Sequence, residues 1–229
     1  MNILKNLLNL LFPKTCYGCQ ELLVQHEKTL CLKCLHELPF TQHINNQYNE
    51  IYKRFYGRLP LQHTSAILYY HKQGIARQII HHLKYQGAQE LGTFFGTFYG
   101  NEIATHPVLN TVNEIIPVPL HPKKFRERGY NQVSAFGRAL ATELQVKCNE
   151  SLLKRNYYSE TQTQKNLFGR TELNHTALFE ATYSEQDHGK HFLLVDDVIT
   201  TGATLEACGK ALLKIPNARI SIITLAYTQ

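Results

Sequence analysis

Two adjacent carboxylates, Asp196 and Asp197, are followed almost at once by Thr200, Thr201, Gly202, Ala203 and Thr204, and this grouping could hold a phosphorylated sugar. Neighbouring carboxylates accept hydrogen bonds from two vicinal sugar hydroxyls, or help to hold a hydrated Mg²⁺. A tight turn into a helix N-terminus offers unpaired backbone N–H groups and the positive end of the helix dipole, which suit a phosphate. Gly202 lets the backbone come close, and the Thr hydroxyls add short donors. The pattern describes a pocket for a sugar 5-phosphate. Its competitor is the generic strand, loop and helix of an α/β protein, where carboxylates at strand ends are common.

The elements that must position these groups are legible on either side. His191-Phe192-Leu193-Leu194-Val195 is a short apolar run, as expected of a strand buried on both faces of a parallel sheet. It predicts a strand ending at the carboxylates. Leu205, Cys208 and Leu212 then mark a helix that stops before Pro216, with Cys208 as a small core residue. Upstream, Ser65 to Tyr70 reads as the first strand. Ile75, Ile79 and Leu83 stripe a helix ending at Lys84-Tyr85-Gln86-Gly87, and a second helix runs from Ala88 to about Tyr99. Glu114 to Pro122 is a strand running out into a proline-stiffened loop, and Ile220 to Tyr227 is the last strand.

Cations gather at two of these junctions. Lys123, Lys124, Arg126 and Arg128 form a basic loop at the end of a strand, placed to close over a polyphosphate and exclude water. A helix opening at Gly129 follows, with Tyr130, Val133, Phe136, Leu140 and Leu144 as its stripe. Lys84 sits in a turn from which it could reach a pyrophosphate, although a solvated surface lysine explains it as well. His81 and His82 have no partner at metal-ligand spacing. No side chain can be assigned as a general base.

Cys16-x₂-Cys19 and Cys31-x₂-Cys34 are two knuckles that place four thiolates at the corners of a tetrahedron, as a structural Zn²⁺ requires. Four thiolate ligands leave no open position for catalysis. Residues 41–64 are polar and aromatic and read as a wrapping arm, with Tyr48, Tyr52, Phe55, Tyr56 and Leu59 along one side of a short helix. Packing against the main domain is the plainer reading of that row, and a base-stacking platform the other.

The 229 residues allow one ordinary domain plus a small module, and the net charge of +6 favours anionic ligands without naming one. Nothing resembles a secreted disulfide framework. Ile3, Leu4, Leu7, Leu8 and Leu11 share a helical face, so residues 1–12 read as an amphipathic helix rather than a signal peptide. No stretch can span a bilayer. A cytoplasmic protein is expected, with weak membrane association through that helix left open.

The run from His191 to Thr204 resembles the phosphoribosyl pyrophosphate (PRPP) signature of type I phosphoribosyltransferases. Beyond it, four features occur in a consistent order: the four cysteines, Lys84-Tyr85-x-Gly87, Pro117-Val118-Pro119-Leu120, and Arg126-x-Arg128-Gly129-Tyr130-Asn131-Gln132. Thr163-Gln164, Arg170, Asn174 and the acidic pair complete the series. The whole resembles the ComF family of competence proteins, which includes the GntX-like proteins. That resemblance implies an α/β fold: a type I phosphoribosyltransferase-like parallel sheet flanked by helices over residues 65–229, with a four-cysteine zinc finger at 13–40. It implies that Asp196 and Asp197 face the ribose hydroxyls and a Mg²⁺ bound with PRPP, and that Thr200 to Thr204 cradle the 5-phosphate. Lys84, Tyr85 and Gly87 would form a pyrophosphate loop, joined by Arg126 and Arg128 from a mobile loop.

Two functions follow from the resemblance. One is a PRPP-binding protein that handles transforming single-stranded DNA in natural competence, with Mg²⁺-dependent phosphoribosyl transfer to an unidentified acceptor. The other is a non-catalytic single-stranded-DNA-binding protein that keeps the pocket for a regulatory ligand or phosphate. DNA-uptake and recombination proteins are the implied partners.

Overall fold

A computed structural model describes residues 13–156 and 178–229. The expected N-terminal helix over residues 1–12 and the group Thr163, Gln164, Arg170 and Asn174 lie outside the described residues. In chain order the strands are β1 (Leu61–Tyr69), β2 (Glu114–Pro117), β3 (Lys147–Cys148), β4 (Leu153–Arg155), β5 (Phe179–Ala181), β6 (His191–Ile199) and β7 (Arg219–Tyr227). The helices are α1 (Leu32–His36), α2 (Glu50–Phe55), α3 (Ile75–Tyr85), α4 (Gln89–Ala104), α5 (Pro122–Arg128), α6 (Ser134–Leu144) and α7 (Ala203–Leu212). Five strands make one all-parallel sheet in the order β1-β7-β6-β2-β3, while β4 and β5 pair antiparallel beside it. Among the described residues no helix is long and apolar enough to cross a membrane. The fold is the expected parallel sheet with flanking helices and an N-terminal four-cysteine module.

β6 lies inside the sheet and explains its own sequence. Leu193 and Val195 point into one apolar layer with α3, α4, α6 and the cysteine module. Phe192 and Leu194 point into the other layer with α2, α7 and the β4–β5 pair. Side chains of a strand alternate between faces, so both parities must be apolar when both faces are covered.

Three expectations are corrected. β6 does not stop at the carboxylates: pairing with β7 continues through Asp196↔Thr224 and Val198↔Ala226 to Ile199. Val198 and Ile199 prolong the β-branched run, and the longer partner strand supplies hydrogen bonds for them. The basic segment is not a loop but α5, begun by Pro122 at its first turn, capped by the His121 side chain and ended by Gly129 in the left-handed region. The following helix opens at Ser134, so Tyr130 belongs to the connection rather than to a helical stripe. Smaller differences are the earlier start of β1, at Leu61, and the longer course of α4, to Ala104.

α4 and α6 approach closely because α4 carries Gly92, Gly96 and Gly100 along one side. A Cβ on Gly96 would lie 2.5 Å from the Cβ of Ala139 and 2.8 Å from the Phe136 carbonyl oxygen. This holds α6, and the segment leading into it, against the body of the protein.

At the opposite end of the sheet from the carboxylates lie buried histidines. The His191 ring meets Thr111 Oγ1 at 2.9 Å and Ser221 Oγ at 2.8 Å, and the His63 ring lies 4.7 Å from that of His106. Burial, then the neighbouring His106, His191 and His43, pushes His63 down to about 3; burial and Arg219 push His191 down to about 4. A histidine kept neutral in the folded state contributes stability in full above its unfolded value of 6.5. That contribution is lost as the unfolded chain takes up protons on acidification. We therefore expect the melting temperature to fall as pH drops from 6.5 towards 4, and His63→Leu to flatten the slope; a level profile by scanning calorimetry contradicts the assignment.

Candidate functional site

The carboxyl ends of β2 and β6, the end of α3, α5 and the start of α7 converge on one cavity of about 140 Å³. Its wall includes Lys84, Lys124, Arg128, Gln132, Arg155, Asp196, Asp197 and Thr204. A shallow pocket formed by residues 198–205 adjoins it, sharing Asp196 and Thr204. Ligands of open α/β sheets bind at this edge, outside the strand ends.

Because Asp196 and Asp197 are consecutive in a strand, they emerge on opposite faces of the sheet edge. Asp197 is buried and already engaged: its Oδ2 meets Lys84 Nζ at 3.1 Å and accepts from Gln132 Nε2 at 2.8 Å. Gln132 Oε1 in turn accepts from Arg128 Nη1 at 2.7 Å, and the Arg128 guanidinium lies 5.1 Å from the centroid of the Tyr85 ring. Asp196 is half-buried on the α7 side and accepts from the backbone N–H of Asp197 at 2.8 Å. Burial, together with the charge of Asp197, pushes its carboxyl up to about 8, against the opposing pull of Lys84 and Lys124.

The segment after α5 ties the site together. The Tyr130 hydroxyl donates to the Leu83 carbonyl at 2.6 Å and accepts from the Gly87 N–H at 3.1 Å, gripping the end of α3 on both sides of Lys84. Asn131 Nδ2 donates to the Val118 carbonyl at 3.0 Å, fixing the loop after β2. Much of the Arg-Gly-Tyr-Asn-Gln sequence therefore serves to hold Lys84 against Asp197. Arg126 is exposed on α5 and does not line the cavity.

The phosphate-type turn rests on the aromatic arm. Gly202 has φ +78° at the start of the ten-residue α7, and Thr201 Oγ1 accepts from the Ala203 N–H at 3.4 Å. A Cβ on Gly202 would lie 2.9 Å from Cζ of Phe55, which is itself buried. Arg58 pairs with Glu206 in the first turn of α7, and Leu59 lies against Gly209.

Sequence reasoning gave Gln132 and Arg155 no role and did not separate Lys124 from the other cations of its segment. Lys124 and Gln132 lay inside motifs already noticed, so spacing could have suggested them. Arg155 carried no signal: it reaches the cavity because β4 pairs with β5, which sets its guanidinium 5.4 Å from the centroid of the Phe179 ring.

The four cysteines form a second centre. Their Sγ atoms all lie within 4.8 Å of one another, and Cys19 and Cys31 approach to 3.7 Å. A tetrahedron with Zn–S of about 2.3 Å has edges of roughly 3.8 Å, so this donor set fits the ion. Backbone N–H groups of Gly18 and Cys31 point at Cys16 Sγ, each at 3.3 Å, as suits a thiolate. The module grips the last turn of α3 and the first turn of α4: Gln20 bonds His82 at 2.8 Å, the Tyr17 ring packs edge-on to His82, and the Tyr17 hydroxyl donates to Glu90. His82 is thus a contact of the module.

Adding a methyl at Gly202 forces both a left-handed alanine and a collision with Phe55. Gly202→Ala should cost about 1–3 kcal/mol in urea unfolding, whereas Phe55→Ala alone should cost about 3–5 kcal/mol. In the Phe55→Ala background the glycine substitution should cost less, because only the backbone strain remains. Additive penalties in that double-mutant cycle would show that the ring does not set the constraint.

Residues 134–229 match the Phosphoribosyl transferase domain family, and residues 7–45 match the Double zinc ribbon domain family. Three curated relatives are similar. Competence protein ComFC of Bacillus subtilis (strain 168) is 26% identical over 215 residues, 93% of this chain and 83% of that one. Competence protein F of Haemophilus influenzae is 33% identical over 112 residues, 49% of each chain, so the match spans about half of that relative. DNA utilization protein YhgH of Escherichia coli O157:H7 is 27% identical over 154 residues, 66% of each chain. A phosphoribosyltransferase-type sheet, a four-cysteine ribbon packed on its first helices and these relatives bear out the resemblance to the ComF family along most of the chain.

Proposed function

We propose that the protein binds PRPP or a closely related ribose phosphate at the end of β6 and serves the handling of single-stranded DNA in competence. The observation that carries this reading is the joint wall of one cavity: two carboxylates, the Thr204 end of a helix-opening turn, and the cations Lys84, Lys124, Arg128 and Arg155. The DNA context comes from the names of the relatives, which are competence and DNA utilization proteins. PRPP would lie with its 5-phosphate at residues 200–204, its ribose hydroxyls towards Asp196 and Asp197, and its pyrophosphate towards Lys84, Gly87 and Arg128. Arg126 would need α5 to move before it could take part.

In transfer, an acceptor atom would bond to the ribose anomeric carbon as the bond to pyrophosphate breaks, with the acceptor proton passing to solvent or a base. The protein's part is to hold the ribose, exclude water and meet the charge of the departing pyrophosphate. A Mg²⁺ held beside Asp196 and the diphosphate would neutralise that charge. The second reading, a non-catalytic pocket serving a DNA-binding protein, draws support from the Lys84–Asp197 pair, in which cation and carboxylate already satisfy each other.

Calorimetric titration with PRPP, with and without Mg²⁺, tests the pocket. We expect binding that Mg²⁺ strengthens and that Asp196→Asn/Asp197→Asn abolishes while the melting profile stays cooperative. Ribose hydroxyls and Mg²⁺ need an ionised Asp196, whose carboxyl is raised to about 8, so affinity should grow as pH rises from 6 to 8. A pH-independent affinity, or no heat from folded protein, would sink the assignment. Release of pyrophosphate in an acceptor screen then separates the two readings.

For the ribbon we propose one structural Zn²⁺ per chain, held by Cys16, Cys19, Cys31 and Cys34. Chelation should release one equivalent and lower the melting temperature by loosening the Tyr17 and Gln20 contacts on α3 and α4, while Cys208→Ser leaves the zinc content unchanged. Retention of full stability after metal loss would contradict that role.

A further inference from the structure

The aromatic arm has two sides. Ile51, Phe55 and Leu59 turn inward, where Phe55 and Leu59 support α7. Tyr48, partly buried Tyr52 and Tyr56 form a row on the outside, with ring centroids 5.3 Å and 6.1 Å apart and ring planes at 79° and 53°, so each ring presents its own face rather than sharing one flat surface. Tyr48 is 62% exposed and Tyr56 75% exposed, so this row does not serve the core. Between the rings and the chain below them lies a cavity of about 460 Å³, lined by Tyr52, Phe55, Tyr56, Arg58, Leu59 and Pro60 among others. Exposed Lys53 lies beside the rings, together with Arg58, which is paired with Glu206, and Glu50, which is paired with His43.

This surface is also rigidly mounted. Buried Asn49 caps α2 by accepting from the N–H groups of Ile51 and Tyr52 at 3.0 and 3.1 Å, and its own amide donates to the Thr64 carbonyl of β1 at 2.6 Å. Arg54 bonds the Tyr227 hydroxyl at 3.0 Å, tying the arm to the end of β7. Rings held in place lose little freedom when a ligand covers them. Ordered aromatic faces flanked by cations attract flat, electron-rich groups on an anionic backbone, and every nucleobase offers such a face. An apolar peptide would gain from the rings but not from Lys53 and Arg58.

We propose that the Tyr48–Tyr52–Tyr56 face and its adjoining cavity form a stacking platform for the bases of single-stranded DNA. The proposal rests on the DNA-handling reading above but not on the PRPP pocket. Phe55 and Arg58 join the platform to the turn at Gly202, so a strand lying on it would pass beside the ribose-phosphate site.

The test uses the full-length, metal-loaded protein and a fluorescently labelled oligo(dT), read by anisotropy across a salt series. Tyr52→Ala/Tyr56→Ala should weaken binding tenfold or more with the salt slope unchanged, since stacking carries no counterion release. Tyr52→Phe/Tyr56→Phe should bind within twofold of the parent, which separates ring loss from damage to the arm. An abasic oligonucleotide of equal charge should bind the parent as weakly as the intact strand binds the alanine variant. The alanine variant should keep its PRPP titration, so failure of the pocket and failure of the platform are distinguishable. Absence of oligo(dT) binding by the parent, equal binding of the abasic strand, or an alanine variant within twofold of the parent would each overturn the proposal.

Discussion

The site depends on how one buried carboxylate is given partners. Asp197 is held at the edge of a parallel sheet by Lys84 and by Gln132, which is itself positioned by Arg128. A lone ionised carboxylate at that depth would be costly, and removing one partner of such a group commonly costs several kcal/mol. The arrangement therefore couples three distant pieces of chain: the end of α3, the segment between α5 and α6, and β6. Tyr130 and Asn131 serve the same end by pinning the backbone on either side.

Around that anchor the two carboxylates play unequal parts. Asp197 completes the internal network, while Asp196, half-exposed and raised towards neutrality, stands outside that network on the cavity wall. This division follows from strand geometry, because consecutive residues face opposite sides. One member secures the wall and the other presents a carboxyl to the cavity whose charge depends on pH and on what lies beside it.

Much of this was legible in the sequence where a local rule operates. The apolar run of β6 and the four-cysteine spacing each follow from a short-range requirement. Other features depend on partners far along the chain. The end of β6 could not be read because its extension through Val198 and Ile199 depends on β7. Arg155 enters the cavity only through the β4–β5 pairing, and the need for glycine at 202 comes partly from Phe55. The basic segment reads as a loop because it continues a proline-punctuated strand end, whereas Pro122 and Gly129 are the start and stop of a short helix.

The pairing of β1 also bears on how the chain is made. β1 has one neighbour in the sheet, and that neighbour is β7, the last strand of the chain. Synthesis runs from the N-terminus, so β1 emerges long before the strand that completes it. Contacts of such sequence separation form slowly, because loop closure must precede any gain from pairing. The cysteine ribbon docks on α3 and α4, which follow β1 closely, whereas the tyrosine arm is fully tied down only when β7 brings Tyr227 to Arg54. Until then residues 39–41 can cover one side of β1, while the side that β7 takes stays open.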